Sequence, residues 1–155
     1  MRIKGVHFLD TSIIIGAIVE AKTKKEKDEQ RRCERYIARL NYIYKGIISI
    51  SVLGEFTERC LSKDSIDTLK GFDFLDGFIK DKEIEIIYPD NKTIEIFQQI
   101  KEIDPRIEFM DAMHIACAKS NGIKVFVTID KPLIENQKLR EYLKIEIKHP
   151  KDLIT

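Results

Sequence analysis

FMDAMHIACAKSNGIKVFVTID, residues 109–130, sets two isolated carboxylates, Asp111 and Asp130, at the ends of two otherwise apolar elements. Phe109, Met110, Met113, Ile115, Ala116, Cys117 and Ala118 are small or apolar and only Ile115 among them is β-branched. They predict a nearly buried helix stopped by Asn121-Gly122. Lys124 to Ile129 then reads as a short apolar strand. A helix, a two-residue stop and a strand ending in Thr-Ile-Asp make half of an α/β crossover, and open α/β sheets bind ligands at the carboxyl ends of their strands. Asp130 stands at such an end.

Working outward, Val6 to Leu9 reads as a buried strand, preceded by Gly5 and ended by Asp10-Thr11-Ser12, which opens into the helix SIIIGAIVEA. Taken alone, Asp10, Thr11 or Ser12 simply caps that helix. From Ala21 to Arg35 the cations Lys22, Lys24, Lys25, Lys27, Arg31, Arg32 and Arg35 alternate with Glu26, Asp28, Glu29 and Glu34. Such a mixture is either a solvated helix face or a phosphate-contacting patch. The same helix turns amphipathic through Cys33, Tyr36, Ile37, Leu40 and Tyr44 and ends at Gly46. Ile47 to Ile50 predicts a second strand, and Ser51 caps a helix VLGEFTERCL whose first turn carries Glu55, where a carboxylate also answers the helix dipole. Ile66, Leu69, Phe72, Leu75, Phe78 and Ile79 form a further amphipathic helix, an aromatic stripe that reads as core rather than as a base-stacking surface. Glu83 to Tyr88 alternates as a strand exposed on one side, and Ile94, Phe97 and Ile100 continue as a helix up to Asp104-Pro105. Beyond the opening stretch, Lys131-Pro132 starts a short helix, LIENQKLREYL, Lys144 to Lys148 reads as an edge strand, and Pro150 closes the ordered domain.

Composition narrows the class. At 155 residues and 43% hydrophobic content the chain is expected to form one domain, 1–155, with a single core that needs no staples. Cys33, Cys60 and Cys117 are odd in number and lack C-x-x-C spacing, so they read as buried thiols in a reducing cytoplasm. His7, His114 and His149 are scattered, with no H-x-x-x-H pair, which argues against a zinc site and leaves oxygen as the ligand for any metal. No apolar run is long enough to span a bilayer, since Phe8 to Val19 is interrupted by Asp10, Thr11 and Ser12, so a soluble cytoplasmic protein is expected. A net charge of +1 confines any nucleic-acid footprint to a local patch.

The order of elements predicts an α/β protein, a three-layer α/β/α sandwich with a central mostly parallel sheet. Asp10 follows one strand, Glu55 lies a turn inside the helix after the next, Asp111 opens the helix before the last buried strand, and Asp130 follows that strand. Right-handed crossovers bring such positions to one rim of the sheet. Carboxylates about 4 Å apart repel by roughly 4 kcal/mol per pair at an effective dielectric of about 20, so the cluster calls for protons or a cation. Oxygen-only ligation selects Mg²⁺ or Mn²⁺, ions that hold substrate phosphates and ready a water for in-line attack, which is phosphodiester chemistry. Other chemistries fit less well. A haloacid-dehalogenase-type phosphatase needs a second aspartate where Ser12 stands, and receiver domains need an acidic pair before the first-strand aspartate. Gly16 and Gly54 stand alone rather than in a phosphate loop or dinucleotide fingerprint, and no serine–histidine nucleophile is framed.

These residues resemble the PIN-domain nucleases, the class that includes the VapC toxins of toxin–antitoxin pairs. FLDTS at Phe8 to Ser12 resembles the first motif of that family, SVLGEF with Glu55 the second, DAMHIACA with Asp111 the third, and VTID with Asp130 the fourth. The resemblance spans the chain in the family's order. It implies a PIN-like fold and a metal-dependent endoribonuclease that cuts RNA to leave a 5′-phosphate and a 3′-hydroxyl. Asp10, Glu55, Asp111 and Asp130 would be its catalytic residues and would place Mg²⁺ or Mn²⁺. Ser12 and Thr128 would support a carboxylate or water by hydrogen bonding. His114, one turn beyond Asp111, reads as a core-facing histidine bonded to backbone rather than as a general base. Lys22, Lys24, Lys25, Arg31, Arg32, Arg106 and Lys131 are the candidates for RNA phosphates. The implied partners are an RNA substrate, a cognate antitoxin protein and a second copy in a homodimer. An RNA-processing nuclease and a non-catalytic module that binds RNA or protein are the alternatives.

Overall fold

Phe8 and Leu9 are adjacent in the first strand and therefore point to opposite faces of the sheet, and both are fully buried, so helices must cover the sheet on both sides. This computed structural model describes residues 2–62 and 66–155. The strands β1 (Gly5–Leu9), β2 (Tyr44–Ser49), β3 (Glu85–Ile87), β4 (Val125–Val127) and β5 (Glu146–Lys148) form one sheet in the order β3-β2-β1-β4-β5. Every pairing is parallel, where the sequence suggested only a mostly parallel sheet. The helices are α1 (Thr11–Ile18), α2 (Lys24–Ile37), α3 (Ile50–Ser62), α4 (Thr68–Asp81), α5 (Asn91–Ile103), α6 (Phe109–Ser120), α7 (Lys131–Ile134) and α8 (Gln137–Leu143). Together they make a three-layer α/β/α sandwich. On one face Phe8 stacks on Phe126 of β4, ring centroids 5.4 Å apart, and meets His114 of α6. On the other face His7 hydrogen-bonds Tyr36 of α2 at 2.7 Å.

Local signals explain most boundaries. Thr23 and Glu26 close a capping box at the start of α2, and Asp90 and Thr93 do the same for α5. Gly122, at φ +72°, takes the left-handed turn that stops α6, as the Asn121-Gly122 pair predicts. The second helix is shorter than its amphipathic pattern: α2 ends at Ile37, and Tyr44 and Gly46 belong to β2. Leu40 is buried and Tyr44 half-buried by tight turns and a strand rather than by a helical stripe, so the three- and four-residue spacing is coincidental beyond Ile37. Gly46 serves packing, not helix termination. A Cβ there would meet Ile84 Cδ1 at 2.7 Å and Leu9 Cδ1 at 3.3 Å, so Gly46→Val is expected to cost about 1–3 kcal/mol by overpacking, read as a lower urea midpoint.

Three further boundaries differ from the sequence reading. Ser51 lies inside α3 rather than capping it. The expected helix 133–143 is two helices, α7 and α8, because Asn136 caps a new start through its side chain on Leu139 N–H. The chain also stays ordered past Pro150 as a 3₁₀ turn, Pro150–Leu153, with Arg39 donating to the Ile154 carbonyl at 2.7 Å. Cys33, Cys60 and Cys117 are buried thiols. Among the described residues no helix is long and apolar enough to cross a membrane.

Strand order fixes where a site can form. From β1 the chain builds outward through β2 to β3, then returns to the other side of β1 for β4 and β5. The order reverses between β1 and β4, and in parallel sheets the crevice beyond the carboxyl ends of such a strand pair binds ligands. Asp10 leaves β1 at that point, and Thr128 and Asp130 leave β4.

Candidate active site

Asp10 occupies the N-cap position of α1 yet makes no side-chain capping bond; its carboxylate is turned elsewhere. Oδ2 accepts hydrogen bonds from Ser12 Oγ and Thr128 Oγ1, each at 2.7 Å. Those hydroxyls are themselves fixed by the chain leaving β4, because Ile129 N–H donates to Ser12 Oγ at 3.2 Å and Asp130 N–H donates to Thr128 Oγ1 at 3.0 Å. The two strand ends are thereby joined through one carboxylate oxygen. The other oxygen, Oδ1, is buried and has no hydrogen-bond partner among the described residues. A buried carboxylate oxygen without a partner costs on the order of 1–3 kcal/mol or more, so an orphan in this position is informative.

Asp130 and Glu108 repeat the pattern. They hold the N-cap positions of α7 and α6, and neither side chain caps its helix. Asp10, Asp111, Asp130 and Glu108 instead line one crevice of about 280 Å³, together with Ser12, Ile129 and Arg59. The capping explanation of Asp10 therefore fails on geometry. Burial first, and then the negative charge of Asp10, Asp130 and Glu55, pushes the Asp111 carboxyl up to about 7. Asp130 is raised by burial and by Asp10 and Glu108.

Glu55 is held differently and does not line that crevice. Burial would raise its carboxyl, but hydrogen bonds from His114 and Thr11 and the charge of Arg59 outweigh burial and hold it at about 2. His114 Nε2 lies 3.0 Å from Glu55 Oε1, and Arg59 Nη2 lies 3.6 Å from Oε2. Oxygen atoms of Asp10 and Glu55 and a ring nitrogen of His114 all fall within 4.8 Å of one another. His114 is fully buried, as a core-facing histidine should be, but its partners are side chains rather than backbone. Its ring is part of the polar centre.

The donor set fits a hard divalent cation. The crevice gathers carboxylates, one of them with an oxygen lacking a partner among the described residues and one raised by burial and then by its neighbours' charge, and a cation would offset both.

The basic candidates divide. Arg106 lines a larger adjoining crevice of about 730 Å³ that shares Asp111, Asp130 and Glu108, and Lys138 lies on the same wall. Lys22, Lys24 and Lys25 are exposed at the start of α2, and Arg31 and Arg32 pair with Asp28 and Glu29 one turn back. Lys131 pairs with Glu135 at 3.7 Å. None of these six lines either crevice.

The model of the PIN domain family matches residues 7–139. The chain belongs to the PIN domain family. Solved structures share the fold of this PIN domain. It superposes on VapBC2 from Rickettsia felis, solved bound to a DNA fragment from its promoter, with a TM-score of 0.65 at 19% identity over 93% of this chain and 98% of that one. DNA-bound VapBC from Salmonella typhimurium gives 0.62 at 22% identity, covering 93% and 97%. Mycobacterium tuberculosis VapC20, described as a sarcin-ricin loop cleaving toxin, gives 0.58 at 16% identity, covering 80% and 89%. At these identities the likeness is one of fold. No curated protein sequence matches the chain.

Proposed function

We propose that this PIN domain is a divalent-metal-dependent endoribonuclease and the toxin of a toxin–antitoxin pair, cutting RNA to leave a 5′-phosphate and a 3′-hydroxyl. The observation that carries the reading is Asp10, whose one oxygen is locked by two hydroxyls while the other is buried without a partner among the described residues, at the switch point of the sheet. The likeness to a toxin described as cleaving the sarcin-ricin loop supports RNA as the substrate. The two likenesses to VapBC assemblies support an antitoxin partner. Asp10, Glu55, Asp111 and Asp130 would hold Mg²⁺ or Mn²⁺. The chemistry supplied by an ion held there would be Lewis-acid charge against the carboxylates and the scissile phosphate and a lowered pKa for a water.

The protein's own groups supply positioning. Ser12 and Thr128 fix the direction of the Asp10 carboxylate, so no reorganisation is needed when substrate arrives. Arg59 is the cation lining the acidic crevice among the described residues, and it offers a charged fork to a phosphate oxygen. Arg106, itself paired with Asp104 at 3.0 Å, and Lys138 are the cations among the described residues that line the wider, otherwise acidic crevice, and they would offer a strand of RNA phosphate contacts beside Asp111 and Asp130. The basic residues of α2 serve as a solvated face, with Lys24 and Lys25 exposed and Arg31 and Arg32 paired along their own helix. Arg59→Ala is expected to raise KM for RNA by about tenfold, and to flatten the slope of log binding constant against log salt by about 0.7, the loss of one phosphate contact on a single strand.

The reading is tested by incubating a 5′-labelled RNA with the purified protein. Cleavage in Mn²⁺ or Mg²⁺, ends bearing 5′-phosphate, and silence in chelator and in Asp10→Asn are expected. Equal cleavage by Asp10→Asn, or cleavage undiminished by chelator, would sink the reading.

A further inference from the structure

His114 is fully buried, and every polar contact of its ring is to a side chain. Nδ1 lies 2.8 Å from Ser51 Oγ, which lies 2.5 Å from Ser49 Oγ at the end of β2. Nε2 lies 3.0 Å from Glu55 Oε1 and 3.3 Å from Thr11 Oγ1. An ionised carboxylate only accepts hydrogen bonds, so Nε2 must carry the hydrogen shared with Glu55, whichever way the Ser51 hydroxyl points. The result is a continuous polar chain, Ser49 to Ser51 to His114 to Glu55, crossing from the end of β2 through α6 to α3. Thr11 Oγ1 also meets Nε2, and Arg59 Nη2 meets the other Glu55 oxygen.

We infer that His114 is a positioning residue, whose Nε2–H aims the Glu55 carboxylate at Asp10 and so assembles the cation site. The inference rests on the metal-dependent reading above and deepens it. Glu55 sits a turn inside α3 on rotatable bonds, and its other oxygen pairs with Arg59 at 3.6 Å, a single contact about which the carboxylate would still turn. His114 removes that freedom. It occupies the position three residues beyond Asp111, so one helix face carries both a crevice carboxylate and the group that orients another. Ser51 and Ser49 in turn fix the imidazole, as the outer partner of a histidine commonly does around metal centres.

Two amide replacements separate the ring's two contacts. A glutamine amide nitrogen reaches the place of Nε2, and an asparagine amide nitrogen reaches only the place of Nδ1. Calorimetric titration of the full chain with Mn²⁺ is therefore expected to show His114→Gln within about threefold of wild type and His114→Asn weaker by at least about tenfold, the scale set by orienting partners of ligands. In a Glu55→Gln background the difference between the two is expected to vanish, because the pair acts as one unit. Should His114→Asn fail to fold, Ser51→Ala, which removes only the hydroxyl behind the ring, is expected to weaken Mn²⁺ about threefold, with a loss that also vanishes in Glu55→Gln. Equal weakening by Gln and Asn would overturn the inference, as would a Ser51→Ala protein that binds Mn²⁺ like wild type. Persistence of the Gln–Asn difference in Glu55→Gln would make His114 a ligand in its own right and would also overturn it. No Mn²⁺ binding by wild type would instead overturn the metal-dependent reading itself, and this inference with it.

Discussion

Asp111→Asn is expected to lose RNA cleavage by about 10²–10³-fold or more, and at the same time to raise the melting temperature of the metal-free protein at pH 7.5. Both effects follow from one carboxylate. Burial and the charge of Asp10, Asp130 and Glu55 push its carboxyl up to about 7, so above that pH the folded protein carries a charge that its surroundings oppose. The folded state binds more protons than the unfolded state between about pH 4 and pH 7, and stability contributed by this group falls as pH rises through that window. The asparagine removes the penalty. Its stabilising effect should therefore be largest at pH 7.5 and small near pH 4, and Mn²⁺ should raise the melting temperature of wild type but much less that of the variant. Thermal unfolding at the two pH values, with and without Mn²⁺, checks this beside the cleavage assay. A variant less stable than wild type at pH 7.5 would mean that Asp111 is a structural acid rather than one held for a cation.

Phe126→Ala should be the most damaging single truncation of the core, at about 3–5 kcal/mol. Its ring is fully buried on an interior strand and stacks on Phe8 of the central strand with planes 9° apart, so little can move in to fill the space. β4 is only three residues long and lies between β1 and β5. The strand that carries Thr128 and Asp130 to the site is thus anchored largely by this ring. Urea denaturation should show the loss as a lower midpoint at similar slope, and a cost under about 1 kcal/mol would contradict the packing described. In a 155-residue chain, each kcal/mol corresponds to about 2–4 °C in melting temperature, so the change should be visible by heat as well.

How much of this was legible beforehand depends on the distance over which each signal acts. The α6–β4 stretch was read from its own residues, because the run from Ala112 to Ala118 and the stop at Gly122 are local, and the structure follows them within a residue or two. The turn from Leu40 to Tyr44 was not legible, since apolar residues at helical spacing look the same whether a helix or a tight turn buries them. Asp10, Asp111 and Asp130 could be grouped from sequence because strand ends and helix starts gather at one rim of a parallel sheet. The freedom of Asp10 from capping could not, because it depends on Thr128, 118 positions away. Arg59 and Glu108 were missed although local signals pointed to them: Arg59 is one helical turn from Glu55, and Glu108 immediately precedes α6. The bonding of His114 to Ser51 and Thr11 spans 63 and 103 positions, and no periodicity encodes it. A histidine in an apolar helix gives only the hint that some partner must exist.

The most direct test of the proposed activity is mapping of new 5′ ends in total RNA incubated with the purified protein and Mn²⁺, run beside Asp111→Asn and a chelator control. Discrete 5′-phosphate ends that vanish in both controls are the expected result, and their positions would name the RNA that is cut. Identical ends in wild type and Asp111→Asn, or a wild type that neither generates ends nor binds Mn²⁺ by calorimetry, would contradict a metal-dependent nuclease and leave this PIN domain as a binding module.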